Sequence, residues 1–425
     1  MVSYRRLAMR VLEHVPVPFR KKKASPPPRV AAQRIAALAL ACAMMTGMTF
    51  PAFAATYDIV SGSIDIHATE GGNLISQWFM NGEQKEYVSD SDGDIKDRPD
   101  NNITITGTST GNTVTIDADK DQTANVTLEN VEINASSTGQ AAVDVTGSGN
   151  TNIELNGNNT LTGGNWYAGL QHNKETDAEG NETSGKLTIT DTDGNGSLCA
   201  TGNYGGAGIG GGNLKDAGKI EITGGSITAA TGGLDGAGIG GGGAGGDADI
   251  TISGGTINAI GGTDPWGQPG AIGGAGIGGG QHGSGSNITI SGGEVNAIGG
   301  KSGAGIGGGH TGDGSDIIIS GGEVSAIGGE NGAGIGGGVY GKGEGITVSG
   351  NAQLKVRGGS VHGDYGTGAG IGGGGSYGTD GAEVEPDICA LNPGGKIEYY
   401  APRSSMSGTP NKTVTNPTGD FVWDS

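Results

Sequence analysis

Three kinds of side chain in this sequence are spaced so that they could do chemistry. The first is a run of oxygen donors, Asp191-Thr192-Asp193-Gly194-Asn195-Gly196, with two carboxylates and an amide at alternate positions and glycines that let the chain turn sharply. Alternating oxygens in a tight turn suit a hard cation, and calcium is the ion that Asp191, Asp193 and Asn195 would hold. The run is not an EF-hand, because its twelfth position is Gly202 where a bidentate Glu is needed. Asp90, Asp92 and Asp94, and again Asp117, Asp119 and Asp121, repeat the two-residue spacing. Against an ion stands the plainer reading of each run as a polar turn with its carboxylates in water.

The second kind is aromatic. The apolar face of a pyranose stacks on a flat ring while its hydroxyls seek amides and hydroxyls nearby. Trp166 and Tyr167 follow NNTLTGG with Gln171, His172 and Asn173 close behind, and Trp266 sits in TDPWGQPG. These three are the candidate ligand-binding residues; the alternative is that each ring folds down onto its own chain. The third kind is catalytic. Pectin hydrolysis on a stacked-strand scaffold needs clustered aspartates, a nearby His and a basic residue for substrate. His282, His310 and His362 instead stand at unequal offsets beside glycine-rich turns, and Arg357 is the single Arg between Arg98 and Arg403. The histidines read as solvated loop residues, and no catalytic set is expected.

A repeat announces the elements that must position these residues. GAGIGGG begins at Gly206, Gly236, Gly274, Gly303, Gly332 and Gly368, in steps of 30, 38, 29, 29 and 36 residues. A period near 29 with tolerated insertions means a solenoid whose units bury their apolar faces by stacking on their neighbours. The step of 38 holds the insertion with Trp266, and insertions in such proteins gather on one face that often binds. In the unit starting NITISGGEVNAIGG at Asn287, Ile288 and Ile290 flank Thr289, Val295 and Ala297 flank Asn296, and Ala304 and Ile306 flank Gly305. Each pair has the two-residue period of a short strand with one face inside. No window shows helical periodicity, and glycine this dense costs about 1 kcal/mol per residue in a helix. The predicted fold is therefore all-β, a parallel β-helix with three short strands per coil and Gly-rich corners. Glycine within the third strand implies an outer face poor in side chains, either covered tightly within the molecule or free for self-association.

Upstream, NITITG at Asn102, NVTLENVEINA at Asn125, AAVDVTG at Ala141 and NIELNGNNTL at Asn152 continue the same grammar with less glycine. Residues 55–101 are expected to form an N-terminal cap and first strands, 102–205 less regular coils, 206–400 the Gly-rich coils and 401–425 a C-terminal tail. Trp78, Phe79 and Met80 fall in the capping stretch, and KIEYYAP at Lys396 is expected to supply a last strand.

The ITISGG, AIGG and GAGIGGG units, with the NVTLENVEINA and NIELNGNNTLTGG series before them, resemble the carbohydrate-binding right-handed parallel β-helix domains of secreted clostridial and related gut-bacterial proteins. The resemblance covers roughly residues 57 to 400, and its motifs are structural repeats. It implies a right-handed coil and a polysaccharide partner of cell-wall or plant type, since members of that group bind cellulose or pectic polymers and hold calcium. None of that group's ligand residues matches a position in this chain, so none is carried over.

Arg20, Lys21, Lys22, Lys23, Arg29 and Arg34 precede an apolar run from Ile35 to Phe50 that ends at Ala52-Phe53-Ala54, so residues 1–54 read as a signal peptide. The net charge is −20, and this segment holds nine of the 24 basic residues and one of the 44 acidic ones, so the rest is more acidic still. Nucleic acid and anionic membrane surfaces are poor partners for such a chain, and no membrane insertion is expected. Cys199 and Cys389 look like inward strand positions that are too far apart to pair. The expected protein is secreted or at the cell surface, and binds polysaccharide without catalysis. An adhesive or structural surface protein, or a β-helix lyase or hydrolase, is the alternative.

Overall fold

The computed structural model describes residues 55–246, 249–263, 272–386 and 391–415, and the expected signal segment lies outside them. Alternation of aliphatic and polar residues sets the strands. In one Gly-rich coil they are Gly285–Ile290, Glu294–Ile298 and Ile306–Gly307. Ile288, Ile290, Val295, Ala297 and Ile306 point inward and are fully or almost fully buried, while Thr289 and Asn296 face out. The next coil repeats this as Gly314–Ile319, Glu323–Ile327 and Ile335–Gly336. Each strand pairs in parallel with its counterpart one coil on, which makes the described chain a parallel β-helix.

The core is a set of aliphatic columns. Through the third strands run Ile64, Val114, Val143, Leu170, Ile209, Ile239, Ile277, Ile306, Ile335 and Ile371, each the register partner of the next. Through the first strands run Ile153, Ile189, Ile222, Ile252, Ile290, Ile319 and Val348. Burying each such side chain contributes about 1.5–3 kcal/mol, and none of it is available to an isolated coil. Less regular coils before residue 206 enter the same columns, so the aliphatic interior is continuous across the change in glycine content.

Antiparallel strands close both ends. Gly72–Asn81 pairs antiparallel with Ser63–Thr69, the first rung of the third-strand sheet, and Lys412–Thr415 pairs antiparallel with Lys396–Tyr400. Each covers an edge that would otherwise template pairing with another chain. Trp78 in the first of these strands donates its indole N–H to Asp65 Oδ2 at 2.7 Å and lies under the Lys85 ammonium at 4.0 Å.

The glycines of GAGIGGG are explained by close approach. The fifth, at Gly210, Gly240, Gly278, Gly307, Gly336 and Gly372, has φ between 128° and 136°, a region closed to other residues. For the seventh, a Cβ on Gly242, Gly280, Gly309, Gly338 or Gly374 would lie 1.9–2.0 Å from the carbonyl oxygen of the same position one coil earlier. The glycine face is not bare. After the two-residue third strand the chain folds back, with the Ala304 N–H donating to Gly308 O at 2.9 Å, and its own turns cover that face.

Cys199 departs from expectation. Leu198 and Ala200 take the inward positions of Ser197–Thr201, so alternation turns Cys199 outward, half-buried and unpaired. Cys389 lies outside the described residues.

Two substitutions test this packing by thermal or denaturant melting. Ile306→Asp, which puts a carboxylate in the core column, is expected to abolish the cooperative melt or to lower stability by several kcal/mol. Gly309→Ala, which drives a methyl into a neighbouring carbonyl, is expected to cost about 2 kcal/mol or more, against a near-neutral Gly111→Ala where the Cβ position is open.

Candidate binding flank

Each Gly-rich coil has two turns beside its third strand, a leading turn before it and a trailing turn after it. Backbone hydrogen bonds join them across coils: the trailing-turn amides of Asn213, Gly243, Gln281, His310, Val339 and Gly375 donate to the leading-turn carbonyls of Trp166, Gly205, Asp235, Gly273, Ser302 and Asn331, at 2.5–3.0 Å. Trailing turns also bond to one another, as in Leu214 N–H to Gly243 O at 2.7 Å and His282 N–H to His310 O at 2.8 Å. The result is one flank of doubled turns running along the helix axis.

Side chains on this flank sit in an unusual backbone conformation. Successive trailing turns place Leu214, Ala244, His282, Thr311 and Tyr340 at φ between 61° and 64°, and leading turns place Trp166 at 75°, Tyr204 at 48°, Ser302 at 67° and Asn331 at 63°. The left-handed region costs a non-glycine residue roughly 1–2 kcal/mol. All five trailing-turn side chains stand exposed.

Aromatic residues cluster at two stations on it. Trp166 is 51% exposed and its ring lies 5.1 Å from that of Tyr204 at an interplanar angle of 33°, so two neighbouring coils present a tilted aromatic pair. Further along, Tyr340 meets Tyr365 edge-on at 5.5 Å, and Tyr365 meets Tyr377 at 6.2 Å. A hydrogen bond with Tyr365 raises the Tyr340 hydroxyl above its ordinary pKa. Asn331, almost fully buried, fixes the Tyr365 loop by donating from Nδ2 to Tyr365 O at 3.3 Å and Gly366 O at 2.7 Å.

Between the stations, His282 Nδ1 is 2.8 Å from Thr311 Oγ1, and its ring meets that of His310 at 5.5 Å. Burial, reinforced by the His282 charge, pushes the His310 imidazole down to about 4. Glu330 faces His362 Nδ1 at 3.3 Å and Lys301 Nζ at 3.9 Å.

Of the residues singled out by sequence, Trp166 lies on this flank, Tyr167 beside it is half-buried, and Trp266 lies outside the described residues. Tyr204, Tyr340, Tyr365 and Tyr377 were missed. A signal existed for Tyr204 alone, which precedes Ile209 by five residues much as Trp166 precedes Leu170 by four.

The acidic run closes on itself. Asp191 accepts from the amides of Gly194, Asn195 and Gly196 at 2.8–3.2 Å, and Asp193 Oδ2 accepts from Asn195 Nδ2 at 2.7 Å. Asp90 pairs through both oxygens with Arg98, whose hydrogen bonds hold its carboxyl below the usual range, while Asp117 and Asp119 face His67 at 3.6 and 3.1 Å. Among the described residues, no three or more His, Cys, Asp or Glu converge on a metal-sized space.

Elsewhere several buried polar groups are bonded, while the Thr151 hydroxyl is buried without a partner among the described residues. His172 Nδ1 and Nε2 lie 3.2 and 2.9 Å from Val145 O and Gly185 O, and because burial lowers its pKa the neutral ring donates to one of the two. Burial raises the Asp144 pKa, and Gln171 Nε2 donates to that carboxylate at 3.0 Å. A shallow groove of about 330 Å³ on the outer face of the second strands is lined by Glu294, Asn296, Glu323, Ser325, Lys355 and Lys396 and has no aromatic residue.

The sequence profile of the Beta helix repeat family matches residues 220–243, 288–310 and 317–339, each running from the first strand of a Gly-rich coil to its trailing turn. No curated protein and no solved structure matches the chain.

Two outcomes follow from these contacts. Asp191→Ala is expected to lower stability by about 1 kcal/mol, equally with calcium and with chelator, because the carboxylate serves its own turn; a loss seen only with calcium would place an ion there. At His310 the unfolded chain takes a proton near pH 6.5 but the folded chain only near 4, so stability is expected to fall as pH drops through that window. Melting midpoints against pH for the protein and for His310→Gln check this, with a flatter profile expected for the variant.

Proposed function

We propose that this β-helix is a non-catalytic carbohydrate-binding protein that holds polysaccharide of cell-wall or plant type on its flank of doubled turns. The observation that carries the reading is the exposed Trp166–Tyr204 pair, two rings held by neighbouring coils at a fixed tilt on a backbone that cannot easily move. Such a pair offers a pyranose its apolar face, and half-exposed Asn203 and Asn213 in the same turns offer amides for its hydroxyls. Further along the flank His282 is engaged with Thr311, and Glu330 faces Lys301 and His362, contacts that suit a surface that binds without turnover. Secretion to the cell surface or the surroundings rests on the basic start, apolar run and Ala52-Phe53-Ala54 of the sequence.

The test is retention of the protein on a panel of soluble and insoluble polysaccharides, with the supernatant assayed for new reducing or unsaturated ends. Retention without released sugar is expected. Trp166→Ala should weaken retention roughly tenfold, about the worth of one aromatic contact, with an unchanged melt. Retention on no polymer would turn the reading to an adhesive or structural protein, and released sugar would turn it to an enzyme.

A further inference from the structure

We propose that a small pocket at the last leading turns holds one oxyanion between the guanidinium groups of Arg357 and Arg403, either the acidic group of a glycan or a free ion such as phosphate. Beyond residue 54 the chain has three arginines, Arg98, Arg357 and Arg403. Arg98 is paired with Asp90, whereas neither of the other two has a carboxylate partner among the described residues. Both line one cavity of about 100 Å³, together with Glu330, Ser360 and glycine backbone. At about 30 Å³ for each water in the liquid, that is room for a carboxylate or a phosphate group.

Stacking of the coils brings these residues together. Ile298, Ile327, Arg357 and Tyr400 end successive second strands and are register partners. Lys301, Glu330, Ser360 and Arg403 each stand three residues further on, so they follow one another in successive turns. Lys301 and Glu330 answer each other at 3.9 Å. The column then continues with a hydroxyl and a second cation, and no acid follows to answer Arg403. Every residue of the pocket is described. The last described residue, Thr415, pairs with Lys396 at the opposite end of that strand from Tyr400, and the turn holding residues 264–271 is three register steps from that of Arg357.

Each arginine is fixed by the other's turn. Arg357 Nη1 donates to Ser404 O at 2.5 Å, and Arg403 Nη2 donates to Val361 O at 3.3 Å. A guanidinium has five N–H donors in a rigid fork, so most of them are left for an oxyanion, and half-buried Ser360 adds a hydroxyl without a partner among the described residues. Glu330 also lines the pocket, but its carboxylate is answered by Lys301 and by His362 Nδ1 at 3.3 Å, which leaves two unpaired cations. The net charge of −20 repels anions from a distance. At physiological salt that field is screened over about 8 Å, and an anion inside the pocket meets the two arginines first.

Calorimetric titration of the protein with inorganic phosphate, trigalacturonate and neutral cellotriose tests the proposal. Saturable binding of one anion per chain is expected, weakened at least tenfold by Arg403→Gln and by Arg357→Gln and unchanged by Lys342→Gln, which removes an exposed charge elsewhere. Arg403 is exposed, so its variant should melt as the parent does and its loss of binding is not a loss of fold. Cellotriose should be indifferent to both arginine variants. Tighter binding of trigalacturonate than of phosphate would identify an acidic glycan as the source of the anion, and binding of phosphate alone would identify the free ion. No saturable binding of either anion, affinity unchanged in both arginine variants, or an equal loss in Lys342→Gln would overturn the site. The Trp166–Tyr204 pair shares no residue with this pocket, so retention of polysaccharide stands or falls by its own assay.

Discussion

Everything in the Gly-rich half of this molecule depends on backbone meeting backbone. A strand-paired solenoid sets adjacent coils at one strand spacing, and in most proteins the turns between strands swing outward and escape that limit. Here the leading and trailing turns are themselves stacked and cross-bonded, so the strand spacing is imposed on them too. With Cβ positions 1.9–2.0 Å from a carbonyl oxygen in successive coils, no side chain other than hydrogen fits at the seventh heptad position. The heptad is thus a packing code with little direct chemical content, and its conservation of form from Gly206 to Gly374 reflects one geometry repeated.

The earlier coils show the same problem solved with side chains. The outward position next to the core column of the third strand is Thr115, Asp144 and Gln171 before it becomes Gly210 and Gly240. Gln171 and Asp144 are hydrogen-bonded to each other, and the neutral His172 ring, set between two backbone carbonyls, donates to one of them. Such a network fits one local arrangement. A glycine column fits any number of identical coils, and this accounts for why the periodic part of the sequence is also the glycine-rich part.

The legible part of the sequence was the part governed by alternation. Ile288/Ile290, Val295/Ala297 and Ile306 are inward as their spacing requires, and Thr251 with Thr289 and Asn296 with Ser325 stand in register from coil to coil, whereas Ala304 is buried just outside the two-residue third strand. Cys199 shows the limit of judging by residue type, since the strand period assigns it outward whatever its own preference. The covering of the glycine face was not legible, because it depends on hydrogen bonds between turns that lie about thirty residues apart and carry no side-chain signature. For the candidate site, Trp166 could be found by its rarity. The cluster of Tyr340, Tyr365 and Tyr377 could not, because Tyr365 and Tyr377 lie in irregular turns and meet Tyr340 only once the last coils are stacked.

Rigidity and display are linked on this flank. A turn in an ordinary loop can relax away from a strained φ, whereas a turn bonded above, below and sideways cannot, so the left-handed residues are held by their neighbours at a cost that the stacked columns offset. A ring carried on such a turn loses little further freedom when a ligand arrives, and the ordering cost that usually weakens binding on loops is largely met during folding. Glycine therefore has two roles in this chain. It brings the coils close enough to lock the turns, and the locked turns let the few large side chains act as fixed points along one axis.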